Sequence, residues 1–187
     1  MIIGGKNKMT KRKINPVDYA KEILTAIPKG VLLTTKAGEK VNAMTIGWGT
    51  MGTNWSRPVF AAYIRKGRFT AEMLEKNPEF TVNIPLGDFD KKIVGICGSK
   101  RGSEVDKITL AGLTMVDSDA VKVPGFKELP LTLECKVIYK QLQDLALYSA
   151  DIAKDFYPQD IDGMAVGANR DEHYTVFGEI VNAYVIE

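Results

Sequence analysis

From residue 131 to residue 140 apolar and polar side chains alternate almost without interruption. Leu131, Leu133, Cys135, Val137 and Tyr139 fall on one side, and Thr132, Glu134, Lys136, Ile138 and Lys140 on the other. A period of two predicts a half-buried strand, with Glu134 and Lys136 on its outer, solvent face. The same period predicts strands over 31–35 and 41–48, joined by a turn at Lys36-Ala37-Gly38-Glu39 into a hairpin. Pro58 to Ile64 is a nearly continuous apolar run, the pattern of a strand covered on both faces. In "FTVNIP", Phe80, Val82 and Ile84 share one strand face and Thr81 and Asn83 the other, so Asn83 is a polar residue inside a core element. Further strands are expected around 146–152 and from about His173 to Ile186.

Helical periodicity is sparser. Asn15-Pro16 offers a cap and a first-turn proline, and Val17, Ala20, Leu24 and Ile27 then recur at helical spacing up to Pro28-Lys29-Gly30. Over 69–77, Thr70 is placed to cap a helix whose Leu74 closes back onto Phe69 as a hydrophobic staple. Residues 89–111 read as helical or irregular, broken by the polar stretch "GSKRGSEVDK", a candidate functional loop. Strands dominate and no repeat or low-complexity linker is visible, so the chain predicts a single mainly β domain: a β-barrel with short helices.

Composition narrows the class. The 187 residues are 45% hydrophobic and 26% charged, enough for one sizeable core. No apolar run approaches the ~18 residues of a membrane span, and no secretion signal is visible, so a cytoplasmic protein without membrane partners is expected. Cys97 and Cys135 stand apart in apolar settings, which predicts reduced, packed thiols and no metal site. The net charge of +2 conceals an asymmetry: Lys6, Lys8, Lys11, Arg12 and Lys13 are five of the 25 basic residues, and without them the chain would be slightly acidic. Residues 1–15 are therefore expected as a basic, poorly ordered tail, and the body gives no electrostatic reason to bind nucleic acid.

The candidate chemistry lies in "NAMTIGWGTMGTNWSRPVFAAYIRKGRFTAEML", residues 42–74. Gly47, Gly49 and Gly52 do not form a dinucleotide fingerprint, since another strand rather than a helix follows. They do leave backbone N–H groups open to close approach by a flat, hydrogen-bonding ligand, over a stretch read as a loose loop. Thr70 then opens a helix whose first N–H groups favour an anion, flanked by Arg65, Lys66 and Arg68. An ordinary helix cap and a solvated strand end would account for the same residues. Two or three charge-assisted hydrogen bonds supply roughly 5 kcal/mol, whereas micromolar affinity needs ~8 kcal/mol. A phosphate joined to a flat ring meets that difference, and residue types leave flavin mononucleotide, pyridoxal phosphate and a nucleotide open.

The run from Asn42 to Pro85, with "GSKRGSEVDK", "LTLECKV" and the terminal "HYTVFGEIV", resembles the flavin reductase-like family of FMN-binding split β-barrels, in particular its flavoredoxin-like members. The resemblance covers about residues 16–187. It implies a split barrel of Greek-key type, a homodimer, and one FMN per subunit. Carried onto this chain, Thr45, Ile46, Gly47, Trp48 and Thr50 would border the isoalloxazine ring. Arg65, Gly67, Arg68 and Thr70 would receive the phosphate. Asn83 would lie beside the cofactor, with Ser99 and Lys100 completing the pocket. Arg68 stands where many relatives have serine, and its bidentate guanidinium suits tight retention of the cofactor. His173 resembles the histidine that opens the last strand of family members, and is the candidate to donate a hydrogen bond or proton near flavin or nicotinamide. Lys107 after Asp106 matches the family's "DK" and would serve the phosphate or an intersubunit salt bridge.

The activity so implied is electron transfer from NADH or NADPH through FMN to a flavin, oxygen or a protein acceptor. The alternatives are an FMN-binding electron carrier reduced by a partner protein, a pyridoxamine phosphate oxidase-like barrel, and, from another class, a barrel for single-stranded nucleic acid.

Overall fold

The computed structural model describes residues 9–161 and 170–187. Its strands are β1 (Lys11–Lys13), β2 (Val31–Ala37), β3 (Lys40–Ile46), β4 (Gly49–Asn54), β5 (Arg57–Arg65), β6 (Glu79–Ile84), β7 (Met115–Val116), β8 (Gly125–Phe126), β9 (Leu131–Leu142) and β10 (His173–Ile186). Five short helices intervene: α1 (Ala20–Ala26), α2 (Phe69–Lys76), α3 (Lys92–Ser99), α4 (Lys107–Leu110) and α5 (Ala150–Phe156). The main sheet is antiparallel, in the order β3-β2-β6-β9-β10-β5-β4, with β1 added on β10. β3 and β4 stand at opposite ends of that path, yet only Gly47 and Trp48 separate them in the chain. So short a link cannot cross a flat sheet, which must curl until its two ends meet. The fold is thus the mainly β barrel with short helices that the alternation predicts, and Gly47-Trp48 sits at its seam.

Alternation decides what fills it. Phe80, Val82 and Ile84 join Leu131, Leu133, Val31, Leu33, Phe60 and Ile64 in the principal core. Each fully buried aliphatic or aromatic side chain there contributes about 1.5–3 kcal/mol of hydrophobic stabilisation. Gly178 permits this packing, because a Cβ on it would lie 2.4 Å from the Phe80 ring. Leu32 and Ala43 project from the other face of β2 and β3, into a second cluster with Ile93, Cys97, Ile108 and Phe126 that seats α3 and α4.

Five local expectations are corrected. Residues 49–54, read as a loop, pair with β5 through a two-residue turn at Trp55 and Ser56, whose φ of 49° and 57° is the left-handed conformation of tight hairpins. The Trp55 ring, packed against Phe177 and Tyr139 at 5.8 and 6.3 Å, holds there a conformation usually left to glycine or asparagine. Residues 146–152 form no strand but a helical turn leading into α5. Lys11–Lys13, expected in a poorly ordered tail, pair with Tyr184–Ile186, and Arg12 bonds Glu187. Lys6 and Lys8 lie outside the described residues. Glu134, expected on the surface, is fully buried. Its carboxylate accepts from the N–H groups of Asp119, Ala120 and Val121 and from Asn182 Nδ2, so it holds the 119–121 segment over the strand instead of meeting solvent. Finally, α2 begins at Phe69 with Arg68 in the cap position, so Thr70 is not the cap and Phe69 lies inside the helix, not before it as a staple requires.

Candidate functional site

The barrel seam opens into a cavity of about 1120 Å³, bounded by the end of β3, the Gly47-Trp48 link, the end of β5, the start of α2 and the 97–107 segment. Register brings its parts together. β5 and β10 run antiparallel with His173 directly opposite Arg65, so the residue that opens the last strand meets the residue that ends the fifth. Thr45 Oγ1 donates to the Val94 carbonyl at 2.7 Å and ties α3 to β3. The chain then turns past Gly102, whose Cα lies so near Asn42 that an added Cβ would be 1.9 Å from Asn42 Oδ1. Only glycine lets the loop close on the strand there.

Part of the lining is cationic. Arg65, Arg68, Arg101 and Lys107 line it. Burial and then repulsion from Arg65 and Arg101 push the Arg68 guanidinium below its ordinary pKa, opposed by Asp171. Arg65 is largely buried and pairs with Asp171 at 3.6 Å. Lys107 is buried and donates to the Cys97 carbonyl at 3.0 Å, and desolvation lowers its ammonium to about 8. The N-terminus of α2 carries no side-chain cap and faces the same space through Phe69 and Thr70. Asn42 Nδ2 donates to Thr70 Oγ1 at 2.9 Å, while Asn42 Oδ1 is buried with no partner among the described residues. Cations and unspent polar groups concentrated at a helix start fit an anion such as a phosphate.

Aromatic rings adjoin these cations. Trp48 stands at the rim, its ring 5.1 Å from His173 and 5.8 Å, edge-on, from Phe156. His173 is buried, and desolvation followed by repulsion from Arg65 and Arg68 lowers its imidazole to about 4, again opposed by Asp171. At neutral pH it is uncharged. Its Nδ1 lies 3.2 Å from the Tyr157 hydroxyl.

The cavity therefore gathers Thr45, Ile46, Gly47, Trp48, Arg65, Gly67, Arg68, Thr70, Ser99, Lys100 and His173 from four separate stretches of sequence. It does not gather two others. Thr50 is exposed on β4 and pairs with Ala61, because the stretch after Trp48 is a strand that leads away from the seam. Asn83 is fully buried elsewhere: its Nδ2 donates to Thr34 and Thr81 Oγ1, and its Oδ1 accepts from Thr132. Lys66 is exposed and outside the lining. Sequence did not single out Asn42, Asp171 and Tyr157, and it marked Arg101 and Gly102 only as part of the candidate loop "GSKRGSEVDK". Asn42 carried a usable signal, a polar residue among apolar strand neighbours, whereas Tyr157 carried none.

With the geometry established, relatives give it a place. The family described as "Flavin reductase like domain" matches residues 24–187. The chain belongs to the flavin reductase-like family. An uncharacterised protein of Archaeoglobus fulgidus is 29% identical over 130 residues, which are 70% of this chain and 69% of that protein. Among solved structures, flavoredoxin from Methanosarcina acetivorans is 27% identical with a TM-score of 0.59, covering 83% of this chain and 67% of that one. The FMN-binding domain of a flavin reductases-like enzyme from Shewanella baltica is only 12% identical and shows the fold alone, with a TM-score of 0.62 over 95% of this chain and 78% of that one. Among the described residues no helix is long and apolar enough to cross a membrane.

Proposed function

We propose that this member of the flavin reductase-like family binds FMN in the seam cavity and passes electrons from NADH or NADPH through it to a flavin, oxygen or a protein acceptor. The observation that carries the reading is a pair of cations, the buried Lys107 and the half-buried Arg68, held at depressed pKa in the lining of a cavity that Trp48 and strand backbone also wall. A buried ammonium and a desolvated guanidinium are costly without an anion, and a phosphate supplies one. The volume lies just above the ~300–1,000 Å³ typical of small-molecule sites, which suits a cofactor with room for a second flat ring.

The residues present fit the cofactor. Arg65, Arg68, Lys107 and the N-terminus of α2 would hold the phosphate, and the backbone of residues 45–47 would edge the ring. FMN, when bound, supplies the hydride-accepting and electron-donating chemistry. The chain supplies orientation. Trp48 excludes water at the rim and limits what can stack there, while His173 offers a neutral hydrogen-bonding ring beside it. The assembly is a homodimer in this reading, as the family resemblance implies, in a cytoplasmic protein.

Similarity to flavoredoxin favours a second reading, an FMN electron carrier reduced by a partner protein. Anaerobic mixing of FMN-loaded protein with NADH and with NADPH separates the two. Bleaching of the flavin absorbance by either nucleotide supports the reductase, and a yellow protein that neither bleaches supports the carrier. Failure of the purified protein to take up FMN would sink both. Arg68→Ala is expected to weaken FMN binding about 10- to 100-fold, the loss of one charge-assisted hydrogen bond.

A further inference from the structure

His173 and Tyr157 form a buried pair beside Trp48 at the cavity wall. The phenol and imidazole meet at 3.2 Å through Nδ1, with the rings edge-on at 83° and centroids 5.6 Å apart. Both side chains are buried, and Trp48 packs on the imidazole from the cavity rim. Tyr157 does not line the cavity, whereas His173 does. A phenol is a stronger donor than a neutral imidazole N–H, and an imidazole nitrogen a stronger acceptor than a phenol oxygen. The proton in this bond therefore belongs to the tyrosine.

We propose that Tyr157 is a positioning residue: its hydroxyl donates to His173 Nδ1 and fixes the imidazole as the Nε2–H tautomer, which presents one neutral hydrogen-bond donor to a carbonyl oxygen, the carboxamide of a nicotinamide. The identity of that carbonyl rests on the reductase reading. The tautomer does not.

The surrounding charges agree. Arg65 on β5 and Arg68 before α2 oppose a second proton on the ring, and Asp171, which would favour it, is itself engaged by Arg65. Burial, and next a side-chain hydrogen bond with Tyr148, push the Tyr157 pKa up, so the phenol keeps its proton; its oxygen can accept from Tyr148 while its hydrogen is donated to His173. His173 is thus a hydrogen-bond donor of fixed direction and not a proton donor, which narrows the two roles open to it from sequence. Tyr157 exerts this effect from beyond α5, at a position that no strand pattern marks.

The chain holds a single histidine, so long-range nitrogen-proton NMR of the labelled protein reads one imidazole without assignment. The expected spectrum shows a protonated Nε2 and a bare Nδ1, unchanged from pH 8 to pH 5. In Tyr157→Phe, the two nitrogens move toward averaged shifts. With FMN bound, reduction by the preferred nicotinamide nucleotide slows about tenfold at unchanged FMN affinity. A wild-type Nδ1–H tautomer overturns the proposal, and that measurement needs no variant to fold. A Tyr157→Phe spectrum with the wild-type tautomer overturns it as well, and an unslowed reduction overturns the carboxamide as the target. Absence of FMN uptake or of bleaching in the wild type would fall on the functional reading, and the nitrogen shifts would still decide the tautomer.

Discussion

Asn42 and Asn83 are both strand asparagines buried in the barrel wall, and they have opposite hydrogen-bonding states. Asn83 is surrounded by Thr34, Thr81 and Thr132 and uses both ends of its amide within the protein. Asn42 uses its Nδ2 on Thr70 and leaves its Oδ1 unpartnered at the cavity, in the company of Lys107, Arg68 and His173. A buried polar group that is fully satisfied rigidifies the fold, whereas one kept partly unspent costs stability and is available to a ligand. The contrast extends to charge, because the core cluster is neutral and the cavity cluster keeps ionisable groups away from their ordinary pKa values.

The largest expected effect comes from acid. His173 has a folded pKa of about 4 against an ordinary 6.5, so the unfolded chain binds the extra proton first. Its contribution is complete above pH 6.5 and is lost as pH falls from 6.5 to 4, by up to about 3 kcal/mol. Urea unfolding at pH 7 and pH 4 should show this loss in the wild type and a smaller one in His173→Leu. Equal losses would place the imidazole in a solvated environment.

Asn83→Ala comes next, with a loss of roughly 2–3 kcal/mol from stranding the threonine hydroxyls around it and with FMN affinity unchanged in the folded protein. A large fall in affinity would break the distinction between the two asparagines. Gly102→Ala forces a methyl into Asn42 and the Phe69 ring, and should cost about 2 kcal/mol and weaken FMN binding together.

Lys107→Met should act in the opposite sense on stability. Below pH 8 the folded and unfolded lysines are both charged and the burial cost is constant, and it is relieved as pH rises from 8 toward 10.5. Removing the ammonium is expected to raise the stability of the FMN-free protein by roughly 1–2 kcal/mol at pH 7 and to weaken FMN binding. Thermal melts with and without FMN measure both. The smallest effect is that of Asn42→Ala: about 1 kcal/mol in stability, with a several-fold loss of FMN affinity in a fluorescence titration.

Much of this was legible in the chain. Strand and helix periods follow from which side chains avoid water, and they placed β2, β3, β5, β6, β9 and β10 near their observed bounds. Arg65, Arg68, Thr70 and Trp48 stood out because cations at a helix start and a tryptophan beside glycines are chemically suggestive wherever they occur. Alternation failed at Glu134 because it reports which side of the strand a residue takes and not what covers that side, and here the 119–121 segment does. At Asn83 alternation held, for the residue is buried in a core strand as expected, and it was the family resemblance that put it beside a cofactor, away from which the three threonines hold it.

Local preference is written in the chain: the period of each element, the turn chemistry and the charge of each short stretch. Tertiary structure alone decided which of those stretches share a cavity, since closing the sheet at Gly47-Trp48 and setting His173 opposite Arg65 are matters of long-range register. The depressed pKa values of Lys107 and His173 and the pairing of Tyr157 with His173 depend on groups brought together from distant segments or from across a turn of chain. Local sequence pattern carries no term for such proximity, and desolvation exists only once the chain has closed around the group.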